Sequence, residues 1–171
     1  MRKLILLFSV STLLISCGRD KKNETQAEDI KTATKDQYSV IIDGVYEKDD
    51  SISVVYQKNN FFLYDKPIWL KVKGSTTIQR LIFNIPEGEA IENVSFCAST
   101  NKNQEHITIK NITIKNEGIV LDGSNNKYYE YFATDPSFTW DDKNSRFILN
   151  HNNKYPPSIV GKEKLFSILV K

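Results

Sequence analysis

Residues 106–115, HITIKNITIK, carry the pattern that decides the fold of this chain. Ile107 and Ile109 alternate with other residues, and so do Ile112 and Ile114, but the second pair has the opposite parity. A period of two residues is that of a β-strand, so the change of phase at Lys110-Asn111 requires a β-bulge or a strand that passes from one sheet to the other. We therefore predict a long β-strand with one of these two irregularities.

Short apolar runs closed by turn residues continue on both sides of this stretch. The predicted strands are residues 38–42, 51–56, 61–64, 68–73, 81–85, 94–98, 118–121, 138–140 and 146–149. Asp43-Gly44 is expected to end the first of them, and Pro86-Glu87-Gly88 stops another. About eight to ten short strands without a long amphipathic helix favour an all-β fold, an antiparallel β-sandwich.

The sequence leaves two segments open between helix and strand. Residues 127–132, KYYEYF, fit either a strand or one helical turn, and residues 162–170 fit either a short terminal helix or a last strand. Pro156-Pro157 marks a loop between them. Residues 37–171 are long enough to bury a core as a single domain.

The charge balance and the cysteine content exclude some classes of function. The chain has 23 Lys and Arg against 21 Asp and Glu, and without Arg2 and Lys3 the two signs are equal. Nucleic-acid-binding domains carry a basic excess, so nucleic acid is not an expected partner. Cys97 is the one cysteine besides Cys17, and it is expected to be a half-buried apolar residue with no disulfide partner.

The N-terminus has the organisation of an export signal. Met1-Arg2-Lys3 is basic, and the mostly apolar run that follows ends at Ile15, which is shorter than the roughly 20 residues that a membrane-spanning helix needs. Leu14-Ile15-Ser16-Cys17 resembles the lipobox of bacterial lipoproteins. The resemblance implies that residues 1–16 are removed and that Cys17 becomes a mature N-terminus carrying fatty acyl chains such as palmitate. The alternative is an ordinary secretory signal followed by an unrelated cysteine.

The segment after Cys17 is expected to be a flexible tether. Residues 18–36 contain one large apolar residue, Ile30, and many charges of both signs, so they cannot bury enough surface to order themselves. A coil of this length spans about 25 Å on average. Gly18, where aspartate marks inner-membrane retention in some lipoproteins, indicates the outer membrane as the destination. The expected location is thus the cell envelope, with the membrane contacted through the N-terminal lipid.

Residues 51–115 resemble the galactose-binding-type jelly-roll domains that serve as accessory carbohydrate-binding modules. Phe83-Asn84-Ile85-Pro86 takes the place of their F-x-L/I-P strand end, residues 91–98 that of the following strand, and residues 107–114 that of their I-x-I-x-x-I-x-I strand. The resemblance implies a jelly-roll-like sandwich that contacts glycan.

The polar signature of those domains is absent from the middle strand. Ser95, Cys97 and Ala98 occupy the positions of its Arg, Asp and Pro. The apolar skeleton therefore supports the fold, while a calcium or sugar role of those three positions is not carried over.

Trp69 is the side chain that best fits a ligand contact. The alternation of residues 68–73 puts it on the same strand face as Lys71, where an exposed indole can stack on a sugar ring and donate its N–H. Trp140 and Tyr64, with Phe61, are further candidates for the same platform. Packing in the core or under a loop is the alternative for each aromatic residue.

Metal and catalytic sites are weakly indicated. Residues 122–125 and 141–144 offer oxygen ligands of the kind calcium prefers, but turns select the same residues. His106 and His151 are the only histidines, with no nucleophile motif beside them and no carboxylate pair that stands out. No metal, cofactor or catalytic residue is predicted, and the chain is not expected to be an enzyme.

Three functions follow from these observations. The first is a lipid-anchored, non-catalytic binding module that contacts glycan at the cell envelope. The second is a structural or assembly lipoprotein that docks on an envelope protein through a sheet face or an edge strand. The third, ranked last, is a hydrolase of an envelope polymer.

Overall fold

The computed structural model describes residues 37–171. The expected signal peptide, the lipidation of Cys17 and the tether of residues 17–36 lie outside the described residues. Within residues 37–171, no helix is long and apolar enough to cross a membrane.

The described part of the chain consists of twelve strands and two short helices. The elements are β1 (Ser39–Tyr46), β2 (Asp50–Lys58), β3 (Phe61–Phe62), β4 (Ile68–Val72), β5 (Gln79–Asn84), β6 (Asn93–Cys97), β7 (His106–Asn116), β8 (Gly118–Asp122), α1 (Tyr128–Tyr131), β9 (Phe132–Thr134), β10 (Phe138–Asp141), β11 (Arg146–Leu149), β12 (Ser158–Gly161) and α2 (Glu163–Leu169).

The strands form two six-stranded sheets. Sheet A has the order β10-β11-β7-β1-β5, with β8 also paired to β7, and sheet B has the order β3-β2-β6-β12-β9, with β4 also paired to β2. The pairings within both sheets are antiparallel. The predicted all-β fold, an antiparallel sandwich, is confirmed.

The core lies between the two sheets and follows the predicted alternation. Its members include Ile42, Phe83 and Ile112 from sheet A and Ile52, Val54 and Phe96 from sheet B. Each is at most 1% exposed, and burying a side chain of this kind contributes about 1.5–3 kcal/mol. The hydrophobic effect therefore holds the sheets face to face.

The phase change in β7 is a β-bulge opposite β1. Asp43 pairs with Asn111 and Gly44 with Ile109, so Lys110 is the extra residue, and its side chain is exposed. The four isoleucines of β7 are all at most 2% exposed. The strand stays in sheet A, and the bulge lets both halves present their isoleucines to the same core.

The expectation that Asp43-Gly44 ends the first strand is wrong, because β1 continues to Tyr46. Gly44 lies at the bulge, where an added Cβ would stand 2.6 Å from the Thr108 carbonyl oxygen. This glycine therefore permits a close approach of two strands within the sheet, and it does not mark a turn.

The two ambiguous segments resolve differently. Residues 128–131 form one helical turn, and the chain then enters β9, which the sequence did not separate from it. The C-terminal segment is helix α2, whose Leu165 and Leu169 are buried. Strand β12 was missed entirely, because four residues with a terminal glycine give no periodic signal and are held in the sheet by β6 and β9 on either side.

Candidate ligand-binding trough

The outer face of sheet B carries a row of small side chains at its centre. Ser53 pairs with Cys97 and Cys97 with Ser158, while Val55 pairs with Ser95 and Ser95 with Val160. Alternation puts these six residues on the face that points away from the core. They form the floor of a concave site that we call the trough.

Two separate segments form the walls of the trough. Tyr64, Pro67 and Trp69 come from the β3–β4 side, and Lys154, Tyr155 and Pro156 come from the loop before β12. Strands β4, β2, β6 and β12 lie in this order across the sheet, so β4, which carries Trp69, and β12, which follows the loop of Tyr155, lie about 14 Å apart, three strand spacings. The cavity between them measures about 460 Å³, within the range of roughly 300–1,000 Å³ that small-molecule sites occupy.

The aromatic walls are open to solvent. Trp69 is 56% exposed, Tyr64 68% and Tyr155 46%. Ser53 stands opposite Trp69 in the strand pairing, so the floor position next to the indole is small. The trough therefore offers ring faces and an indole N–H above a shallow floor, an arrangement that accommodates a flat, amphipathic ligand.

Hydrogen bonds fix the wall formed by residues 154–156. The Tyr155 hydroxyl donates to the Thr100 carbonyl oxygen at 2.7 Å. The Lys154 amide donates to Ser137 Oγ at 3.0 Å, and Ser137 Oγ donates to the Lys154 carbonyl oxygen at 2.7 Å. Because Ser137 is fully buried, this wall is tied to the interior at Lys154 and to a neighbouring loop at Tyr155.

Asp50 holds the loop to which Tyr155 is tied. Its carboxylate is buried and accepts hydrogen bonds from Ser99 Oγ at 2.6 Å, the Thr100 amide at 2.9 Å and the Asn101 amide at 3.0 Å. A carboxylate that accepts several donors at once rigidifies the segment that supplies them. The position of the Tyr155 wall therefore depends on Asp50.

Cys97 lies in the middle of the floor. Its side chain is half-buried, and its thiol donates to the Ser99 carbonyl oxygen at 3.6 Å. Burial raises the pKa of the Cys97 thiol to about 11. The thiol is thus protonated at neutral pH and serves as a small apolar floor residue, with no nucleophilic role at that pH.

The structure brings Trp69 and Tyr64 together but not Trp140. Trp140 lies in β10 of sheet A, with its ring centroid 5.1 Å from that of Phe147 and 6.1 Å from that of Tyr129. Its Nε1–H donates to Asp142 Oδ1 at 2.6 Å. Phe61, 74% exposed, lies in β3 but does not line the trough.

The two loops considered for calcium use their carboxylates to close turns. Asp122 accepts from the Ser124 amide at 3.0 Å, and Asp141 accepts from Asn144 Nδ2 at 2.7 Å. These bonds lower the pKa of both aspartates. Within residues 37–171, no group of three His, Cys, Asp or Glu side chains is placed to hold a metal ion.

Neither histidine lines the trough, although the His151 ring centroid lies 5.9 Å from that of the wall residue Tyr155. His106 Nε2 is 2.9 Å from Glu47 Oε1, and the interaction with this ring is the main cause that lowers the pKa of Glu47. His151 Nε2 is 3.0 Å from the Gln104 carbonyl oxygen. Both rings therefore contact groups that join strands and loops of the fold.

Sequence analysis missed the floor and one wall of the trough. Lys154 and Tyr155 stand in a polar loop whose only signal is the Tyr155-Pro156-Pro157 run before a short apolar stretch. Without β12 in the predicted sheet, nothing placed that loop beside Trp69.

Comparison of the chain with protein-family models, with curated proteins and with solved structures finds no match in any of the three.

Proposed function

We propose that the chain is a lipid-anchored cell-envelope lipoprotein whose domain, residues 37–171, binds glycan without catalysis. The observation that carries this proposal is the trough on sheet B, where Trp69 and Tyr64 face Tyr155 across a floor of small residues. Sugars present an apolar C–H face and a rim of hydroxyl groups, so an aromatic wall and a polar, shallow floor match both parts of their surface.

The floor chemistry supports a polyhydroxylated ligand. Three of its six residues are serines, Ser53, Ser95 and Ser158, each able to donate and accept hydrogen bonds. Ser95 Oγ is already bound to the Ile159 carbonyl oxygen at 3.3 Å. Ser53 and the Trp69 N–H are the groups that the proposal assigns to ligand hydroxyls.

The entry point of the chain is compatible with an anchored domain. Gln37, the first described residue, donates from Nε2 to the Ile85 carbonyl oxygen at 3.0 Å, beside β1 and β5 of sheet A. The trough is on the outer face of sheet B. In the proposal, acyl chains on Cys17 hold the protein at the outer membrane, and residues 17–36 act as the tether.

A direct test titrates the full-length chain, purified in detergent, with neutral and acidic oligosaccharides followed by calorimetry and thermal shift. At least one oligosaccharide is expected to bind and to raise the melting temperature. Trp69→Ala is expected to abolish the shift. Phe61→Ala is the matched control, because Phe61 belongs to the same edge of sheet B but lies outside the trough. Equal loss in both variants, or binding by neither parent nor variant, would refute glycan binding in the trough.

A second function, docking on an envelope protein, is favoured by strand β8. This strand pairs only with β7 among the described strands, and its Ile119 is 65% exposed. Edge strands present free backbone groups to which a partner strand can add. Co-purification of a partner that survives detergent and is lost in Ile119→Lys, together with no oligosaccharide shift, would favour this function. Turnover of a labelled envelope polymer by the purified chain would favour the third function, hydrolysis of that polymer.

A further inference from the structure

We propose that the trough selects acidic glycan, with Lys154 binding the carboxylate of a uronic acid or of a related acidic sugar. This inference rests on the proposed function and names its ligand class. Lys154 is the one charged residue among those that line the trough within residues 37–171. The binding surface therefore has a single fixed charge, which is positive.

The backbone of Lys154 is held before any ligand arrives. Ser137 bonds both its amide and its carbonyl group, at 3.0 Å and 2.7 Å. The ammonium donates to Ser158 Oγ at 3.2 Å, and Ser158 Oγ donates to Asp135 Oδ2 at 2.9 Å. The backbone and the ammonium group of Lys154 are thus both positioned, so less conformational entropy is lost when the side chain binds a ligand.

The ammonium keeps binding capacity toward the cavity. A lysine has three N–H donors, of which Ser158 takes one, and the Lys154 side chain is 57% exposed. The remaining donors suit a carboxylate, because hydrogen bonds between charged groups are shorter and stronger than neutral ones.

Asp135 orients Lys154 without occupying the trough. Its side chain is 7% exposed, and its nearest oxygen lies 3.7 Å from the ammonium. The carboxylate already accepts from the Ser137 amide at 2.8 Å and the Ser158 amide at 2.8 Å. It is therefore committed to the fold, and a ligand carboxylate would meet the lysine from the opposite, open side.

A second positive charge lies behind the same wall. The Lys102 ammonium is 4.9 Å from the centroid of the Tyr155 ring. At this distance it interacts with the ring face and adds to the positive potential around Lys154. At the Tyr155 wall, two ammonium groups, those of Lys154 and Lys102, stand against one carboxylate, that of Asp135, whereas the residues of the Trp69 wall are uncharged. Because β4 and β12, the strands next to the two walls, lie about 14 Å apart, we assign one sugar unit to each wall and the acidic unit to Lys154.

The test compares each acidic oligosaccharide with its own methyl ester. Trimers of galacturonate, glucuronate and mannuronate, each beside its neutral ester, are titrated calorimetrically into the full-length chain in detergent. We expect at least one acid to bind about tenfold more tightly than its ester, the lower end for a hydrogen bond to a charged group. Raising the salt concentration should weaken the binding of the acid, because salt screens the charge pair, and should leave the affinity for the neutral ester unchanged.

Lys154→Gln should remove the preference by lowering the affinity for the acid to that for the ester. Lys143→Gln, in the hairpin between β10 and β11, is the matched control and should keep the full preference. Because Gln keeps hydrogen-bonding capacity toward Ser158, the fold is expected to remain intact, which an unchanged melting temperature would verify.

The outcomes separate the two proposals. Equal binding of acids and esters by the parent chain would overturn the acidic preference and leave glycan binding standing. Acid binding of undiminished affinity in Trp69→Ala would mean that the lysines make an unspecific contact without the aromatic wall, and it would overturn selection of acidic glycan by the trough. If no acid or neutral oligosaccharide binds, the proposed function fails, and the inference fails with it.

Discussion

The two tryptophans of the chain stand in opposite situations although both are partly exposed. Trp140, 40% exposed, packs edge-on against Tyr129 and Phe147 and donates its N–H to Asp142. Trp69, 56% exposed, has no ring–ring contact among residues 37–171 and borders the trough.

The difference shows that exposure alone does not identify a recognition residue. At Trp140 the ring already contacts two other rings and the N–H is already bound to Asp142, so its exposed part is the rim of an aromatic cluster. At Trp69 the ring faces an open cavity. Free polar and aromatic groups in a concave site, and not the exposed fraction, are what distinguish a binding residue from a packed one.

The largest expected effect is the pH dependence of the reactivity of Cys97, the thiol in the floor of the trough, in the folded protein and in the unfolded protein. Because its pKa is raised to about 11, the thiolate fraction of the folded protein should rise about tenfold per pH unit, close to a thousandfold between pH 7 and pH 10. The measurement is the rate of iodoacetamide alkylation of a Cys17→Ser variant. In urea the rate should level off near pH 9, and a plateau at that pH in the folded protein would contradict a half-buried thiol.

Next in size is the expected cost of opening the Trp140 cluster. Phe147 is 4% exposed and its ring contacts those of Tyr129, Phe138 and Trp140. Phe147→Ala should therefore lower the free energy of unfolding by about 3–4 kcal/mol, measured by denaturant titration. Tyr64→Ala, in an exposed wall of the trough, should change it by less than about 0.5 kcal/mol. Similar values for the two variants would erase the contrast between the regions.

Replacing each tryptophan by alanine and measuring both stability and oligosaccharide affinity tests the comparison directly. Trp140→Ala should cost about 2 kcal/mol of stability, because part of the ring is exposed, and should leave oligosaccharide affinity unchanged. Trp69→Ala should leave stability within about 0.5 kcal/mol and weaken oligosaccharide binding at least about thirtyfold, as a central aromatic contact does. Denaturation and calorimetry on both variants measure the two effects, and parallel losses in one variant would contradict the assignment.

The smallest expected effect is that of the hydrogen bond at Trp140. Asp142→Ala removes the acceptor of the Nε1–H, which lies at the surface and can turn to water, so the expected loss is about 0.5–1 kcal/mol of unfolding free energy. Asp142→Asn keeps an acceptor and should lose less. A loss above about 2 kcal/mol would mean that the bond is more buried than the structure shows.

The pattern of the sequence predicted the parts of the fold that depend on long alternating runs. The phase change in residues 106–115 predicted an irregularity, either a bulge or a change of sheet, and the structure shows the bulge. The alternation around Trp69 predicted its outward face, because side-chain period is a local property. Strand β12 depends instead on two neighbouring strands. Its omission hid Lys154 and Tyr155 from the predicted site, and this is the physical reason why only one wall could be anticipated.

The floor and the walls of the trough come from different kinds of structure, which suits protein engineering. Its floor belongs to paired strands of sheet B, whereas its walls belong to two short segments, residues 64–69 and 154–156, that are far apart in the chain. Random libraries at the exposed positions Tyr64 and Trp69 and at residues 154–156 would vary the ligand-facing surface while the floor strands β2, β6 and β12 keep their sequence. The domain is thus a candidate scaffold for selecting binders of small ligands, with Ser53, Ser95 and Ser158 kept constant in the floor.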